Sequence, residues 1–233
     1  MISVITPSVR HEGLALVERA LGRQTHPFEW LVVSPKKPSN LGCRWIQDPP
    51  KEEGDYWTLN KGMNKAIKES NGELIVSWQD YTYAKPDCLE KFWFHYQENP
   101  KLLVSAVGDK YTDDTWTVKT WQDPRERDDQ GSFYLCYPQD IEFNLCAVPK
   151  AAFYAVGGYD EYLDKFAGMD GFSVTDRLLM IAEGWNFALD QTNKSFSLEH
   201  GRLPDWDARN AIHEEYKKRE VEYLENPRLP YLK

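Results

Sequence analysis

The amino-acid sequence predicts an α/β fold with a mostly parallel central sheet flanked by helices. Three observations carry this. The N-terminal half alternates short apolar runs with amphipathic stretches, the pattern of parallel strands joined by right-handed helical crossovers. The stretch from Asp55 to Tyr83 reads as a helix, a glycine stop, a buried strand and a polar tip, and open α/β sheets bind ligands beyond the carboxyl ends of such strands. At 233 residues a single domain of this kind buries roughly 70–75% of its unfolded surface, so no second domain is required.

The elements follow in order. Ile2 to Thr6 is an apolar run closed by Pro7, a buried strand. Gly13 to Arg23 carries Leu14, Val17, Ala20 and Leu21 at helical spacing, and Phe28 to Ser34 is a second strand ended by Pro35 and Pro38. Arg44 to Gln47 is a short third strand before Asp48-Pro49-Pro50. Leu59 to Ser70 is an amphipathic helix, and Asn71-Gly72 is expected to end it in a backbone of positive φ. Leu74 to Trp78 is a strand, Asp87 is placed to cap a helix with the face Leu89, Phe92, Trp93 and Tyr96, and Leu102 to Val107 is a strand. From Gly108 to Asp140 the chain is rich in Asp, Thr, Tyr and Trp and weakly periodic, a long loop with strand-like excursions over the site. Phe143 to Val148 is a strand, Lys150 to Val156 a short helix, and Gly171 to Glu183 a helix ended by Gly184. Asn186 to Leu189 and Ser195 to Leu198 are two short strands, and Asp207 to Glu225 is a charged helix.

Composition excludes several functions. A net charge of −9 argues against a nucleic-acid binder, which needs a basic face to neutralise phosphates. No apolar run of about 18 residues is present, so no membrane span is expected. Met1 to Pro7 has neither the basic start nor the cleavage site of a signal peptide, and a cytoplasmic protein is expected. Cys43, Cys88, Cys136 and Cys146 form no CxxC pair and no zinc spacing. The 9 Trp, 13 Tyr and 10 Phe suit a core and also suit sugar stacking; composition does not separate the two.

Several local patterns occur in one order: Ser3-Val4-Ile5-Thr6-Pro7-Ser8; Asn60-Lys61-Gly62-Met63-Asn64-Lys65-Ala66 followed by Gly72-Glu73-Leu74-Ile75; Val156-Gly157-Gly158-Tyr159-Asp160-Glu161; and Asp170 followed by Asp176-Arg177-Leu178 and Gly184-Trp185. Together they resemble family 2 glycosyltransferases over roughly residues 2 to 200. The resemblance implies the GT-A (nucleotide-diphospho-sugar transferase-like) fold as one domain over 1–233. Residues 1–107 would be the nucleotide-binding half, 108–204 the acceptor-side half, and 205–233 a C-terminal helix and tail. It implies an inverting transfer of a sugar from a nucleotide-diphosphate donor to a hydroxyl of a glycan or lipid-linked glycan, with Mn2+ or Mg2+ on the diphosphate. A homo-oligomer is compatible with it.

The same resemblance places roles on residues. The family's Asp-x-Asp stands here as Gln79-Asp80-Tyr81, so Asp80 alone offers a carboxylate where two are usual. Hard cations accept one or two carboxylates plus phosphates and waters, and Asp80 as sole ligand, weak binding and a metal-free site all remain open. Read without the motif, Asp80 is a solvated loop acid. His200 resembles the C-terminal histidine that some GT-A enzymes add as a metal ligand. Asp170 resembles the catalytic base that takes the acceptor proton, with Asp176 as the fallback; on residues alone Asp170 is a first-turn acid of a helix. The donor pocket would comprise Thr6, Pro7, Ser8 and Arg10, with Ser34 standing where many relatives carry an acid for the base, and with Lys61 and Arg10 facing the diphosphate. Gly157 and Gly158 suit close approach and positive φ, whether beneath a sugar or simply in a tight turn. Two other readings remain: a non-catalytic member that binds a nucleotide sugar or glycan, and a nucleotidyltransferase, whose Gly-rich loop Pro7-Ser8-Val9-Arg10 does not supply.

Overall fold

The computed structural model describes residues 1–9, 11–166, 174–199, 214, 215, 217–219, 221–223, 225, 226 and 229–233. The strands are β1 Ile2–Pro7, β2 Phe28–Ser34, β3 Arg44–Gln47, β4 Leu74–Trp78, β5 Thr82–Ala84, β6 Leu102–Tyr111, β7 Lys119–Trp121, β8 Phe133–Leu135, β9 Leu145–Pro149 and β10 Asn186–Leu198. The helices are α1 Leu14–Leu21, α2 Leu59–Glu69, α3 Cys88–Glu98, α4 Lys150–Ala155 and α5 Val174–Ala182.

All ten strands form one sheet in the order β3-β2-β1-β4-β9-β6-β10-β5, with β7 added on β6 and β8 on β10. The first four positions are parallel, as the strand–helix alternation requires. The sheet as a whole is mixed. β9 enters antiparallel between β4 and β6, and β5, β7 and β8 also pair antiparallel. Residues 108–149 carry short connections that let strands return beside their neighbours without a crossover helix, which parallel pairing would demand. β10 is one continuous strand with an irregularity between Asp190 and Lys194, not two short ones.

The sheet is buried on both faces. Val4, Val32, Leu74 and Val76 pack under α1 and α3 through Leu14, Val17, Leu89 and Phe92. The alternate residues Ile5, Leu31, Val33 and Ile75 pack under α2 and α4 through Met63, Ala66, Ile67 and Phe153. This two-face burial explains why the parallel strands read as continuous apolar runs. Each fully buried large side chain contributes about 1.5–3 kcal/mol.

Three local expectations are corrected. Gly72 is absent from the positive-φ glycines, and Ser70 ends α2 in an extended conformation. Gly72 is needed for space instead, because a Cβ there would lie 2.5 Å from the backbone nitrogen of Ser3. Asp87 precedes α3 but makes no side-chain cap bond; its carboxylate pairs with Lys91 at 2.9 Å. Thr82–Ala84, expected as part of a polar tip, is a strand on the far edge of the sheet. Gly184 closes α5 at φ +81, as expected of a left-handed helix stop.

Candidate functional site

The parallel strands β1 and β4 are neighbours, and their carboxyl-terminal extensions meet. The Ser8 hydroxyl donates to Asp80 Oδ2 at 2.8 Å. Ser8 itself is held because its backbone N–H donates to the Val33 carbonyl at 2.9 Å, continuing the β1–β2 ladder. Asp80 sits in a turn held from several sides. The Gln79 N–H donates to the Asn144 carbonyl at 3.0 Å, and the Leu198 N–H to the Tyr81 carbonyl at 2.9 Å. The Trp78 indole donates to the Thr82 carbonyl at 2.8 Å. Tyr81 adopts φ +61, a left-handed conformation costing a side-chain-bearing residue about 1–2 kcal/mol. Its ring fills the space above Gly13, where a Cβ would stand 2.6 Å away. A strained, over-determined turn presenting one carboxylate is characteristic of a functional loop.

The other sequence-predicted residues fall into different places. Thr6 is buried and accepts the Trp30 indole N–H at 3.1 Å, so it supports the strand below the tip. Pro7 is the half-buried end of β1. Ser34 is buried; its hydroxyl donates to the Lys36 carbonyl at 2.7 Å. Lys61 stands on α2 with its ammonium on Asp55 at 2.7 Å and Glu52 at 3.4 Å. Burial works to lower its pKa, but those carboxylates outweigh it and hold Lys61 above the ordinary lysine value. Lys61 is thus engaged in an ion pair of its own connecting loop. Arg10, Asp170 and His200 lie outside the described residues.

Two carboxylates that the sequence reading passed over stand out. Asp48 follows β3 and is tied to the end of β2, its N–H donating to the Ser34 carbonyl at 3.1 Å. Its carboxylate accepts the Thr58 hydroxyl at 3.2 Å, and a Cβ on Gly62 would come within 3.0 Å of its Oδ1. Burial, reinforced by repulsion from Asp164, pushes its pKa up to about 6. The second strand ends without an acid at Ser34, whereas a half-buried acid follows the third, at Asp48-Pro49-Pro50 directly after Gln47. Asp164 is fully buried and caps α2 from a distance. It accepts the Asn60 N–H and side-chain amide, both at 2.9 Å, and the Lys61 N–H at 3.0 Å. Burial raises its pKa to about 6 despite those donors. No local pattern announces a cap that lies 104 residues away.

The Asn60-to-Ala66 and Gly157-to-Glu161 motifs lock into each other. The Asn64 amide donates to the Tyr159 carbonyl at 3.0 Å and to Glu161 at 2.9 Å, and accepts the Tyr159 N–H at 2.8 Å. Gly157 and Gly158 have φ +74 and +82, and a Cβ on Gly158 would lie 2.6 Å from Asn64 Oδ1. Asp160 accepts from Tyr223, Arg219 and Tyr231, which binds the C-terminal residues over this loop.

A cleft of about 440 Å3 opens beside the tip, lined by Gln79, Thr82, Lys110, Asn144, Ser197 and Glu199. Donors and acceptors of both signs at the carboxyl ends of β4, β6 and β10 suit a polyhydroxylated or phosphorylated ligand. Around the tip the donor set is all oxygen: the Asp80 carboxylate, the Ser8 hydroxyl and the Gln79 amide. That set fits a hard divalent cation whose remaining ligands are phosphates and waters. Among the described residues no group of three or more His, Cys, Asp or Glu surrounds one point.

No protein-family model and no curated protein matches the sequence. Solved structures do. The crystal structure of GalNAc-T7 with UDP, GalNAc and Mn2+ superposes with TM-score 0.62 at 11% identity, covering 100% of this chain and 53% of that one. S. aureus TarS superposes with TM-score 0.60 at 13% identity, covering 99% of this chain and 40% of that one. The chain therefore spans about half the length, or less, of these neighbours. Among the described residues no helix is long and apolar enough to cross a membrane. The strand order, the tip at the carboxyl edge and these superpositions together establish that the chain has the GT-A fold of glycosyltransferases.

Proposed function

We propose that this protein is an inverting glycosyltransferase of family 2 type, moving a hexose-like sugar from a nucleotide-diphosphate sugar to an acceptor hydroxyl. The observation that carries the reading is the Ser8–Asp80 hydrogen bond of 2.8 Å. It joins the tips of adjacent parallel strands, where this class of sheet binds ligands. The donor base lies toward the ends of β2 and β3, with Asp48 accepting a ring N–H of the base. That GalNAc-T7 holds UDP, GalNAc and Mn2+ supports a uridine donor and a cation here.

Asp80 would hold a Mn2+ or Mg2+ ion together with the diphosphate oxygens; when bound, such an ion neutralises charge on the leaving phosphate. The acceptor oxygen attacks the anomeric carbon from the face opposite the diphosphate. The anomeric carbon–oxygen bond breaks, and its electron pair leaves with the nucleoside diphosphate. Asp170 takes the acceptor proton. Ser8 keeps the Asp80 carboxylate oriented, and the locked Tyr81 turn holds it at the strand tip. The expected setting is cytoplasmic, as one domain over 1–233.

The test is thermal shift with UDP, GDP, CDP and dTDP, each with and without Mn2+, followed by donor hydrolysis. Stabilisation by one nucleotide, weakened in Asp80→Asn, and turnover lost in Asp170→Asn are the expected results. Indifference to every nucleotide would sink the donor site. Gln79 and Tyr81 in place of acids favour one second reading, a non-catalytic nucleotide-sugar binder. Tight binding without turnover under any condition would select it.

A further inference from the structure

Next to the cleft at the Asp80 tip lies a second one, and the two share Lys110, Asn144 and Ser197. It has about 290 Å3 of open space and is also lined by Trp121, Arg125 and Glu142. Their shared residues run the two clefts side by side from the strand tip to β7.

Three features define what this second cleft accepts. Trp121 is 36% exposed, and the Lys110 ammonium stands 5.5 Å from its ring centroid. β7 pairs with β6 so that Lys110 and Trp121 are register partners, which fixes the ring at the cleft wall. Glu142 is the second feature. Its carboxylate is set by Arg125 at 3.2 Å and by the Asn144 amide at 3.2 Å. Burial raises the Glu142 pKa, only partly offset by Arg125. Arg125 is itself fixed: it bridges both Asp123 oxygens at 2.9 and 2.6 Å and donates to the Asp140 carbonyl at 2.7 Å. The third feature is charge. The lining carries the carboxylates Asp109, Asp123 and Glu142 against Lys110 and Arg125, and Lys119 at 2.7 Å and Lys194 at 3.0 Å hold Asp109 without lining the cleft. A rigid, hydrogen-bonding wall with a carboxylate excess and an aromatic face suits an uncharged pyranose ring better than a phosphate or a uronic acid.

We propose that this cleft is the acceptor subsite and that it takes a neutral pyranoside, stacked on Trp121 and hydrogen-bonded through a ring hydroxyl to Glu142. The inference rests on the transferase reading and adds the acceptor class. Trp121 and Glu142 are binding residues in this assignment.

The test uses the full chain, saturation-transfer NMR and a panel of methyl glycosides: glucoside, galactoside, mannoside, N-acetylglucosaminide and, as the anionic control, methyl glucuronide. At least one neutral glycoside should bind. Its affinity should fall about tenfold in Trp121→Ala, return in Trp121→Phe, and fall in Glu142→Gln. Nucleotide thermal shifts should be unchanged in all three variants, which also shows them folded. Binding of no neutral glycoside, binding indifferent to Trp121→Ala, or preference for the glucuronide each overturns the assignment. Nucleotide binding without Trp121-dependent glycoside binding refutes this subsite alone. Trp121-dependent glycoside binding without any nucleotide effect keeps the sugar site and refutes the transferase reading.

Discussion

Replacing Asp48 by Asn separates a functional carboxylate from a structural one. The folded Asp48 titrates at about 6 against an ordinary value of 3.8, chiefly through burial. Its folded pKa is the higher one, so between about pH 4 and 6 the folded state binds the proton and the unfolded state does not. Stability from this group therefore falls as pH rises through that window, and the deficit is complete above it. At ~1.36 kcal/mol per pH unit the deficit is about 3 kcal/mol. Partial exposure brings it to about 2 kcal/mol. Asn retains an oxygen to accept the Thr58 hydroxyl and removes the charge, including its repulsion of Asp164. Asp48→Asn should thus be about 2 kcal/mol more stable than the parent at pH 7.5, a rise of about 4–8 °C in Tm for a chain of this size, and equal to it near pH 4. Urea unfolding at both pH values measures this. The same variant should bind the stabilising nucleotide more weakly, because a carboxylate that costs stability is retained for what it binds. A variant no more stable at pH 7.5 would refute the electrostatic argument. A stability gain with unchanged nucleotide affinity would refute the functional one.

Asp123→Ala should cost about 3–5 kcal/mol in urea unfolding, because it strips the two-point partner from Arg125 and leaves the Gly108 N–H without its 2.9 Å acceptor. Gly158→Ala should cost about 2–3 kcal/mol, since both its φ of +82 and a contact of 2.6 Å with Asn64 oppose a Cβ. Gly184→Ala has the same kind of φ, +81, and nothing within 4 Å, so it should cost only about 1 kcal/mol; equal losses at the two glycines would contradict the packing argument. Ser8→Ala should leave stability within about 1 kcal/mol of wild type yet weaken nucleotide binding in the presence of Mn2+ more than in its absence, measured by calorimetry. An identical loss with and without the metal would mean that Ser8 does not orient Asp80.

The sequence was most legible where burial is two-sided. Ile2–Pro7, Phe28–Ser34 and Leu74–Trp78 are apolar throughout because helices cover both faces, and α2 was readable from Leu59, Met63, Ala66 and Ile67. The antiparallel entry of β9 was not readable, because an apolar run such as Leu145–Pro149 carries no mark of direction. Gly72, read as a positive-φ helix stop, is not one: the constraint on it is the Ser3 backbone, contributed from 69 residues away. Of the site, the strand tip with Ser8 and Asp80 was legible, since position in the α/β alternation locates it. Asp164, Trp121 and Glu142 were not, since what distinguishes each is a partner remote in sequence or a cleft assembled from several strands; Asp48 was passed over because its burial comes from packing that its local sequence does not show.

The motifs that carried the resemblance divide into two physical kinds. Asn60 binds Asp164, Asn64 binds Tyr159 and Glu161, and Gly158 admits the Asn64 side chain and Leu232. These residues are engaged with one another and hold α2 on the loop after α4, a role in the fold. The fold is shared with structures only 11% and 13% identical, as expected where an apolar core is interchangeable as long as volume is kept. The proposed chemistry rests on the other kind: Ser8 and Asp80 paired at the strand tip, and Trp121 with Glu142 in the cleft beyond it. Changing Asn64 should therefore unfold the protein and erase every activity at once. Changing Asp80 or Trp121 should leave it folded and weaken, respectively, donor and acceptor binding; a folded Asn64→Ala that binds both ligands normally would show this division to be wrong.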